Sequence, residues 1–315
     1  MLRGNEVRGQ LFCVDTFGTL SSCVVLAAVP YGGATLIHSG VLCMAGPSSL
    51  PDFEDIAVRC AGMLAPAIYR RLYETAFNAP DGFIVEIGTA GGAGTASLAL
   101  GLQHSGKSGR VVTVDRGRRR TGGGDPAGYR EGVKASLRRY GVADRVDLVV
   151  GEASDAVKAV PDSAAISVLV IDADGAIDRD LKAFFDRVLP GGDVIIDDCL
   201  DVVRVHRTGL FDVTVDAKMR LTQLLLTYFK QKGLLSEGTQ IKDTYFGKKV
   251  QDFAQAGISD DAILAIYREL IFSSARVMPV FVDRTMVVRL MNLISPALTQ
   301  RLRVRRRRRI ANSHV

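Results

Sequence analysis

The sequence has few of the residues that build disulfide frameworks or zinc sites. Its five cysteines are scattered, odd in number and without a C-x-x-C pair, and its four histidines are dispersed. This usage argues against a disulfide scaffold and against a zinc site, and it suits a reducing compartment. The histidines are too far apart to suggest a metal cluster or a catalytic triad. We therefore expect a cytoplasmic protein whose chemistry uses other side chains.

Formal charge is missing from residues 16–51. The run CVVLAAVPYGGATLI within this stretch is apolar, but Pro30, Gly32 and Gly33 interrupt it, so it falls short of the roughly 20 residues that a membrane span needs. Membrane insertion, with Arg3 and Arg8 as a basic flank, stays open as an alternative. We expect residues 1–51 to form an N-terminal extension that covers the core or a partner subunit.

Positive charge is concentrated at the C-terminus. The net charge is +6, yet seven arginines lie within residues 301–309, so the rest of the chain carries a net charge of −1. Residues 301–315 are therefore an arginine-rich tail that could bind nucleic acid, anionic lipid or an acidic partner. Residues 251–300 are expected to form a helical appendage. The apolar segment Met286–Leu302 spans the end of this appendage and the start of the tail. We expect it to pack as a helix on the body.

The most informative segment is Phe83–Leu100, with the sequence FIVEIGTAGGAGTASLAL. Ile84, Val85 and Ile87 are apolar and β-branched, which predicts a central parallel strand covered on both faces. The glycines that follow let the backbone turn sharply and approach a ligand. A helix-forming sequence begins at Ala96, so backbone N–H groups point back at the turn. Such a turn is a place for a nucleotide-like cofactor.

The spacing of the glycines discriminates between two classes of cofactor. A dinucleotide fingerprint G-x-G-x-x-G from Gly88 would need glycines at positions 90 and 93, and alanine stands at both. The spacing that fits is acid-x-Gly-x-x-x-Gly, formed by Glu86, Gly88 and Gly92. It resembles the first motif of the class I S-adenosylmethionine-dependent methyltransferases, whose glycines cradle the amino-acid end of the cofactor. The resemblance implies a cofactor site that also includes Thr89 and Ala90.

Residues at the next two strand ends extend the predicted cofactor site. The strand RVVTVD ends in Asp115, at a spacing from the glycine turn at which a carboxylate accepts hydrogen bonds from both ribose hydroxyls. A cap of the following turn is the alternative for this carboxylate. Arg116 is assigned to the cofactor site beside it, with a solvated loop as the alternative. By the resemblance, Glu152 and Ala153 contact the adenine, unless they only form a loop that ends the third strand.

Four aspartates are predicted to converge at one edge of the sheet. The strand VLVID ends at Asp172 and is followed by Asp174, while VIIDD ends in Asp197 and Asp198 after a predicted helix over Leu181–Leu189 that PGG terminates. Right-handed crossovers bring the carboxyl ends of parallel strands together. Four carboxylates repel one another unless a cation or protons compensate, and oxygen ligands favour Mg²⁺. The alternative is that some of them cap helices or form turns.

This D-x-D and Asp-Asp pattern is similar to that of the macrocin and sugar O-methyltransferase group of class I. The resemblance covers Met63–Lys249, including the sequence KGLLSEGTQIKDTYFGKK, which is the last β-hairpin of that family. It implies that Asp174 takes the proton from an acceptor hydroxyl and that Asp172 also borders the cofactor. Gly175 departs from the family, in which many members carry His or another bulky polar residue after D-x-D. The implied metal ligands are Asp172, Asp197 and Asp198.

We therefore predict a doubly wound, mostly parallel seven-stranded sheet with flanking helices, a Rossmann-like α/β fold. It occupies residues 52–250 and includes a helical lead-in over Asp52–Phe77. The predicted function is S-adenosylmethionine-dependent, Mg²⁺-assisted O-methylation of a hydroxylated small molecule or sugar. Two alternatives stay open: a metal-independent N- or C-methyltransferase, and a non-catalytic protein that binds nucleic acid or a membrane surface through the arginine tail. A homo-oligomer is left open.

Overall fold

The computed structural model describes residues 11–12, 24–25, 50–117, 125–207, 213–273, 276–280 and 294–295. The chain divides into two compact units, Met1–Pro51 and Asp52–Val315. In the first unit, the described strands β1 (Leu11–Phe12) and β2 (Val24–Val25) pair in antiparallel fashion. The predictions for the rest of the N-terminal extension, for Arg118–Arg120, for nearly all of Met286–Leu302 and for the arginine tail lie outside the described residues.

The second unit alternates helices and strands. Its helices are α1 (Phe53–Arg59), α2 (Pro66–Asn78), α3 (Ala93–His104), α4 (Pro126–Arg139), α5 (Ala153–Ala159), α6 (Ile177–Phe184), α7 (Lys218–Gln231), α8 (Phe253–Ala256) and α9 (Asp260–Phe272). Its strands are β3 (Phe83–Ile87), β4 (Val111–Asp115), β5 (Val146–Val150), β6 (Ile166–Ile171), β7 (Val188–Ile196), β8 (Val202–Arg207), β9 (Val213–Asp216), β10 (Thr239–Ile241), β11 (Thr244–Lys248) and β12 (Arg276–Val280). No helix within the described ranges is long and apolar enough to cross a bilayer.

Seven strands form one sheet in the order β10-β11-β7-β6-β3-β4-β5. The five strands from β7 to β5 are parallel, β11 is antiparallel to β7, and β10 is antiparallel to β11. The strand order reverses direction at β3, because β4 lies on one side of it and β6 on the other. In open α/β sheets, ligands bind at such a switch point, beyond the carboxyl ends of the strands. The predicted doubly wound sheet is confirmed.

Successive residues of each central strand enter different hydrophobic cores. Ile84 packs with the core that α2 and α3 cover, whereas Val85 packs with the core that α6 and α7 cover. Val111 and Val112 divide in the same way. Because side chains alternate between the faces of a strand, a run of consecutive apolar residues is what a sheet covered on both faces requires. These buried strands hold their carboxyl ends in fixed positions.

A second, three-stranded sheet has the order β12-β8-β9. Strand β12 pairs with β8 in parallel and β9 pairs with β8 in antiparallel fashion. Strands β8 and β9 lie between β7 and α7 in the chain, where the sequence analysis assigned no element. This small sheet carries Arg204 and Asp216 opposite each other.

Two predicted helices have different bounds in the structure. The helical lead-in is two helices, and the second restarts with Pro66 as its first residue. The helix that was predicted over Leu181–Leu189 ends at Phe184 and continues as one 3₁₀ turn. The last part of this prediction is therefore wrong. Strand β7 then begins at Val188, and Pro190 and the two glycines lie within an irregularity of its pairing with β6. The extra residues are accommodated as a bulge instead of a helix stop.

Candidate functional site

The turn after β3 approaches two other segments so closely that side chains are excluded. A Cβ on Gly88 would lie 1.9 Å from the carbonyl oxygen of Asp172, and the residue has a φ of +109°. A Cβ on Gly91 would lie 1.9 Å from the carbonyl oxygen of Cys60. Gly92 has a φ of +87° and directly precedes α3. The turn therefore requires glycine for its own geometry as well as for access by a ligand.

Asp115 holds this turn in shape. Its Oδ2 accepts a hydrogen bond of 2.9 Å from the backbone N–H of Ala90, and its Oδ1 accepts one of 2.8 Å from the N–H of Gly117. Ala90 has a φ of +48°, so the hydrogen bond stabilises a left-handed residue that is not glycine. A carboxylate has about four lone-pair sites, and both oxygens therefore retain capacity for hydroxyl donors from a ligand.

Glu86 lies buried beneath the turn. Its Oε2 accepts hydrogen bonds from Thr95 Oγ1 at 2.5 Å and from Thr113 Oγ1 at 2.6 Å. Burial raises the pKa of the Glu86 carboxyl to about 7, against the opposing effect of these two hydrogen bonds. A cavity beside it is bordered by the glycine turn, by Asp172 and by Met63 of the segment between α1 and α2.

The raised pKa of Glu86 predicts a change in the pH dependence of stability. The folded protein holds a proton on Glu86 up to about pH 7, whereas the carboxyl ordinarily loses it near 4.5. The free energy of unfolding therefore falls as pH rises through this window. Glu86→Gln should remove this contribution. Between pH 5 and pH 8, the free energy of unfolding of the mutant should therefore rise by up to roughly 3 kcal/mol relative to that of the wild type. Urea unfolding at both pH values measures it, with the exposed Glu131→Gln as the control. An equal pH dependence in Glu86→Gln and the wild type would contradict the prediction.

Three of the four aspartates that were predicted to converge lie close together, and Asp174 is not among them. Asp172 follows β6, Asp197 and Asp198 follow β7, and one carboxylate oxygen from each lies within 4.8 Å of the other two. We call these three residues the acidic group. Burial, together with the charges of Asp172 and Asp198, raises the pKa of Asp197 well above its usual range. Burial also raises the pKa of Asp172. Both carboxyls are therefore easier to protonate than a solvent-exposed aspartate.

A lysine that the sequence analysis missed reaches the acidic group. Lys218, the first residue of α7, places its Nζ 3.1 Å from Asp172 Oδ1 and 2.6 Å from Asp198 Oδ2. Burial lowers the pKa of Lys218, but the two carboxylates outweigh it and the pKa is raised. Arg204 of β8 lies 4.0 Å from Asp198 and 2.8 Å from Asp216. The edge of the sheet is thus a charged site that contains both carboxylates and cationic side chains.

Asp174 lies in a separate ion-pair network. Its carboxylate accepts hydrogen bonds of 3.0 and 3.1 Å from Arg179 and one of 3.2 Å from Arg116. Arg116 also pairs with Glu152 at 2.9 Å. Burial alone would raise the pKa of Asp174, but Arg179 outweighs it and the pKa is lowered. Asp174 is therefore held as a carboxylate, and its role as a base stays a prediction.

Comparison with known proteins agrees with this geometry. A family model described as a methyltransferase domain matches residues 85–199. A catechol O-methyltransferase from Mycobacterium tuberculosis is 33% identical over 138 residues, a match that covers 40% of this chain and 57% of that protein. Residues 85–199 are therefore similar to a methyltransferase domain. The matched part of the chain spans little more than half the length of this curated relative.

Two solved structures are also similar to part of the chain. Cofactor-bound Rv0187 from MTB has 22% identity and a TM-score of 0.49, with 65% of this chain and 91% of that chain covered. An O-methyltransferase from Bacillus cereus in complex with SAH has 20% identity and a TM-score of 0.46, with 65% and 94% covered. The fold assignment rests on the strand order of the chain itself.

The fold brings most of the predicted site residues to one edge of the sheet. Gly88, Thr89, Ala90 and Gly92 form the turn above Glu86, and Asp172 borders the same cavity. Glu152 is the N-cap of α5 and forms a capping box with Asp155, and Ala153 is the first residue of that helix. The capping role accounts for Glu152 structurally, and the adenine contacts of Glu152 and Ala153 stay predictions.

Sequence patterns gave only weak signals for the residues that were missed. Thr113 is the one polar residue within the apolar strand VVTVD before its final aspartate, and that pattern could have indicated a partner for Glu86. Arg179 lies five residues after Asp174, within reach across the start of α6. Lys218 had no local signal, because β8 and β9 separate it from the aspartates that it contacts.

Proposed function

We propose that this protein is an S-adenosylmethionine-dependent O-methyltransferase that acts, with Mg²⁺, on a hydroxylated small molecule or sugar. The observation that carries the proposal is the position of the acidic group beside the glycine turn, since Asp172 borders the cavity of that turn. A methyl donor in the turn and an acceptor oxygen at the acidic group would then lie next to each other. Proximity of this kind can supply a large part of the rate enhancement of group transfer.

The cofactor would be bound by the turn and by the next strand ends. The glycine turn and Glu86 would face its amino-acid part, and Asp115 would accept hydrogen bonds from its ribose hydroxyls. Glu152 and Ala153 would lie at the adenine. Two hydrogen bonds from backbone N–H groups already fix the Asp115 carboxylate, so it would bind the ribose without reorganising. This preorganisation supports its assignment to the cofactor.

The donor chemistry of the acidic group fits a hard divalent cation. Three carboxylate oxygens within 4.8 Å of one another are the type of ligand set that Mg²⁺ prefers. The raised pKa values of Asp172 and Asp197 indicate that additional positive charge would stabilise the group. When bound, Mg²⁺ would supply a Lewis acid that lowers the pKa of an acceptor hydroxyl.

The acceptor and its base are assigned from the same edge of the sheet. Asp174 remains the proposed base, and Arg179 and Arg116 keep it ionised and oriented. To accept a proton, it would have to give up part of an arginine hydrogen bond. The curated relative is a catechol O-methyltransferase, so catechols are the first acceptors to screen, followed by sugars. A metal-independent N- or C-methyltransferase is the alternative.

Removal of Asp115 should weaken cofactor binding. Asp115→Ala deletes the proposed ribose acceptor and the carboxylate that orients the Ala90 N–H. We expect the Kd for S-adenosylhomocysteine to rise roughly 10- to 100-fold, as for the loss of charge-assisted hydrogen bonds. Titration calorimetry measures it, with Asp147→Ala, near the amino end of the neighbouring strand β5, as the control. Unchanged affinity in Asp115→Ala would remove this residue from the site.

Calorimetric titration with S-adenosylhomocysteine, with Mg²⁺ and again with EDTA, tests the function itself. Micromolar binding supports the proposal, and acceptor screening then follows. NAD⁺ serves as the comparison ligand, because binding of NAD⁺ alone would indicate an oxidoreductase. The absence of binding by either ligand would favour a non-catalytic binding protein that uses the arginine tail. The cytoplasmic location and the partners remain predictions.

A further inference from the structure

Lys218 occupies the position at which a cation would bridge two members of the acidic group. Its Nζ lies within 3.1 Å of both Asp172 Oδ1 and Asp198 Oδ2. An ion bound to the same two oxygens would lie within a few ångströms of this ammonium. Like charges at that separation repel strongly in a site with little solvent. The ammonium and a divalent ion therefore cannot occupy these oxygens together.

The backbone that presents Lys218 is fixed from two sides. Its N–H donates to Asp216 Oδ1 at 3.1 Å, and Asp216 is in turn held by Arg204 of β8 at 2.8 Å. On the helix side, the hydroxyl of Thr222 donates to the Lys218 carbonyl at 3.0 Å. The main chain is thus positioned by β9 and α7, while the side chain can leave the carboxylates by rotating about its own bonds.

Gly175 provides the space through which Lys218 enters. A Cβ at this position would lie 2.9 Å from the carbonyl oxygen and 3.0 Å from Cγ of Lys218. The residue also has a φ of +91°, which favours glycine. Gly175 is the position at which the sequence departs from the resembled group, where a bulky polar residue is common. The departure is therefore explained by a lysine that approaches from another segment.

We propose that Lys218 is an internal counter-ion that competes with the divalent cation for Asp172 and Asp198. The inference rests on the proposed Mg²⁺ site. Without metal, Lys218 keeps the aspartates together, and metal binding requires its ammonium to withdraw. Lys218 thereby sets the metal affinity of the site as a positioning residue. Asp197 accepts a hydrogen bond of 2.5 Å from the neutral Thr244 hydroxyl and is the most buried of the three aspartates.

The test is direct binding of Mn²⁺, measured from the free-ion signal in electron paramagnetic resonance. Lys218→Met should bind Mn²⁺ at least about tenfold more tightly than the wild type, because no ammonium competes for two ligands. Lys218→Arg keeps the charge and should bind as weakly as the wild type. Lys230→Met, on the same helix and paired with Glu237, is the matched control and should have no effect. If Lys218→Met does not fold, Lys218→Gln gives the same comparison with a polar side chain.

The outcomes separate the two proposals. Equal or weaker Mn²⁺ binding by Lys218→Met, with binding lost in Asp197→Asn, would overturn the competition and retain the metal site. No saturable binding by the wild type or by Lys218→Met would overturn both the competition and the Mg²⁺ part of the proposed function. Binding of S-adenosylhomocysteine by the same samples reports separately on the methyltransferase proposal. Thermal shift adds a second readout, since Mg²⁺ should raise the Tm of Lys218→Met more than that of the wild type.

Discussion

Gly88→Ala is expected to abolish binding of S-adenosylhomocysteine. The new Cβ would lie 1.9 Å from the carbonyl oxygen of Asp172, which is backbone and cannot move aside, at a φ of +109°. The turn would have to separate from the end of β6, so cofactor affinity should fall by at least about 100-fold and stability by several kcal/mol. Calorimetry and urea unfolding measure the two effects. Cofactor binding within threefold of the wild type would disprove that the turn needs this close approach.

Two other glycines provide graded controls for this prediction. Gly132 lies within α4, and a Cβ there would meet nothing within 4 Å. Gly132→Ala should therefore leave cofactor binding unchanged and stabilise the protein by roughly 0.5–1 kcal/mol. Gly92→Ala is intermediate, because its Cβ would meet only Val133 Cγ1 at 3.3 Å but its φ is +87°. The losses of cofactor affinity and of stability should both be largest for Gly88→Ala, smaller for Gly92→Ala and absent for Gly132→Ala.

Asp197→Asn is expected to abolish Mg²⁺-dependent methyl transfer while sparing cofactor binding. Asparagine keeps the size of the side chain and an acceptor for the Thr244 hydroxyl, but it removes one of the three proposed anionic ligands. Turnover, followed as release of S-adenosylhomocysteine with catechol and sugar acceptors, should fall at least about 100-fold. Asp193→Asn, on the same strand and paired with Lys248, is the control. Activity that persists in EDTA would refute the metal requirement.

The same substitution has an effect that does not depend on turnover. Burial raises the pKa of Asp197 well above its usual range, so the stability of the folded protein falls as the pH rises above the range in which an exposed aspartate loses its proton. Asn is neutral, and the metal-free mutant should therefore have a higher Tm than the wild type at pH 8. A lower Tm would indicate that Asp197 is structural, as one reading of strand-end aspartates allows.

The fold was predictable because its signals are local. Strands such as Phe83–Ile87 are short apolar runs, and the glycine turn after β3 is contiguous in the chain. The acidic group was predictable for a related reason: parallel connections place successive strand ends at one edge, so Asp172 and Asp197 meet without any knowledge of side-chain contacts. The order of the strands and the polar residues at their ends therefore predict where these aspartates meet.

Residues from distant segments were not predictable. Lys218 reaches the acidic group only because β8 and β9 return the chain to the edge of the sheet, and no hydrophobic period encodes that return. Asp174 was grouped with the other aspartates because it follows the same strand, but Arg179 and Arg116 bind it instead. Strand β7 begins earlier than predicted, since a bulge accommodates the glycines that were interpreted as a helix stop.

Strand β12 connects the C-terminal part of the chain to this chemistry. It pairs along β8, whose Arg204 contacts both Asp198 and Asp216, so residues near position 280 brace a site whose matched family segment ends at 199. A chain truncated after the β10–β11 hairpin would lack β12. The edge of β8 would then be open to pairing with other molecules, which is a common origin of aggregation. The segment that matches the family model and the compact unit that contains the acidic group therefore have different boundaries.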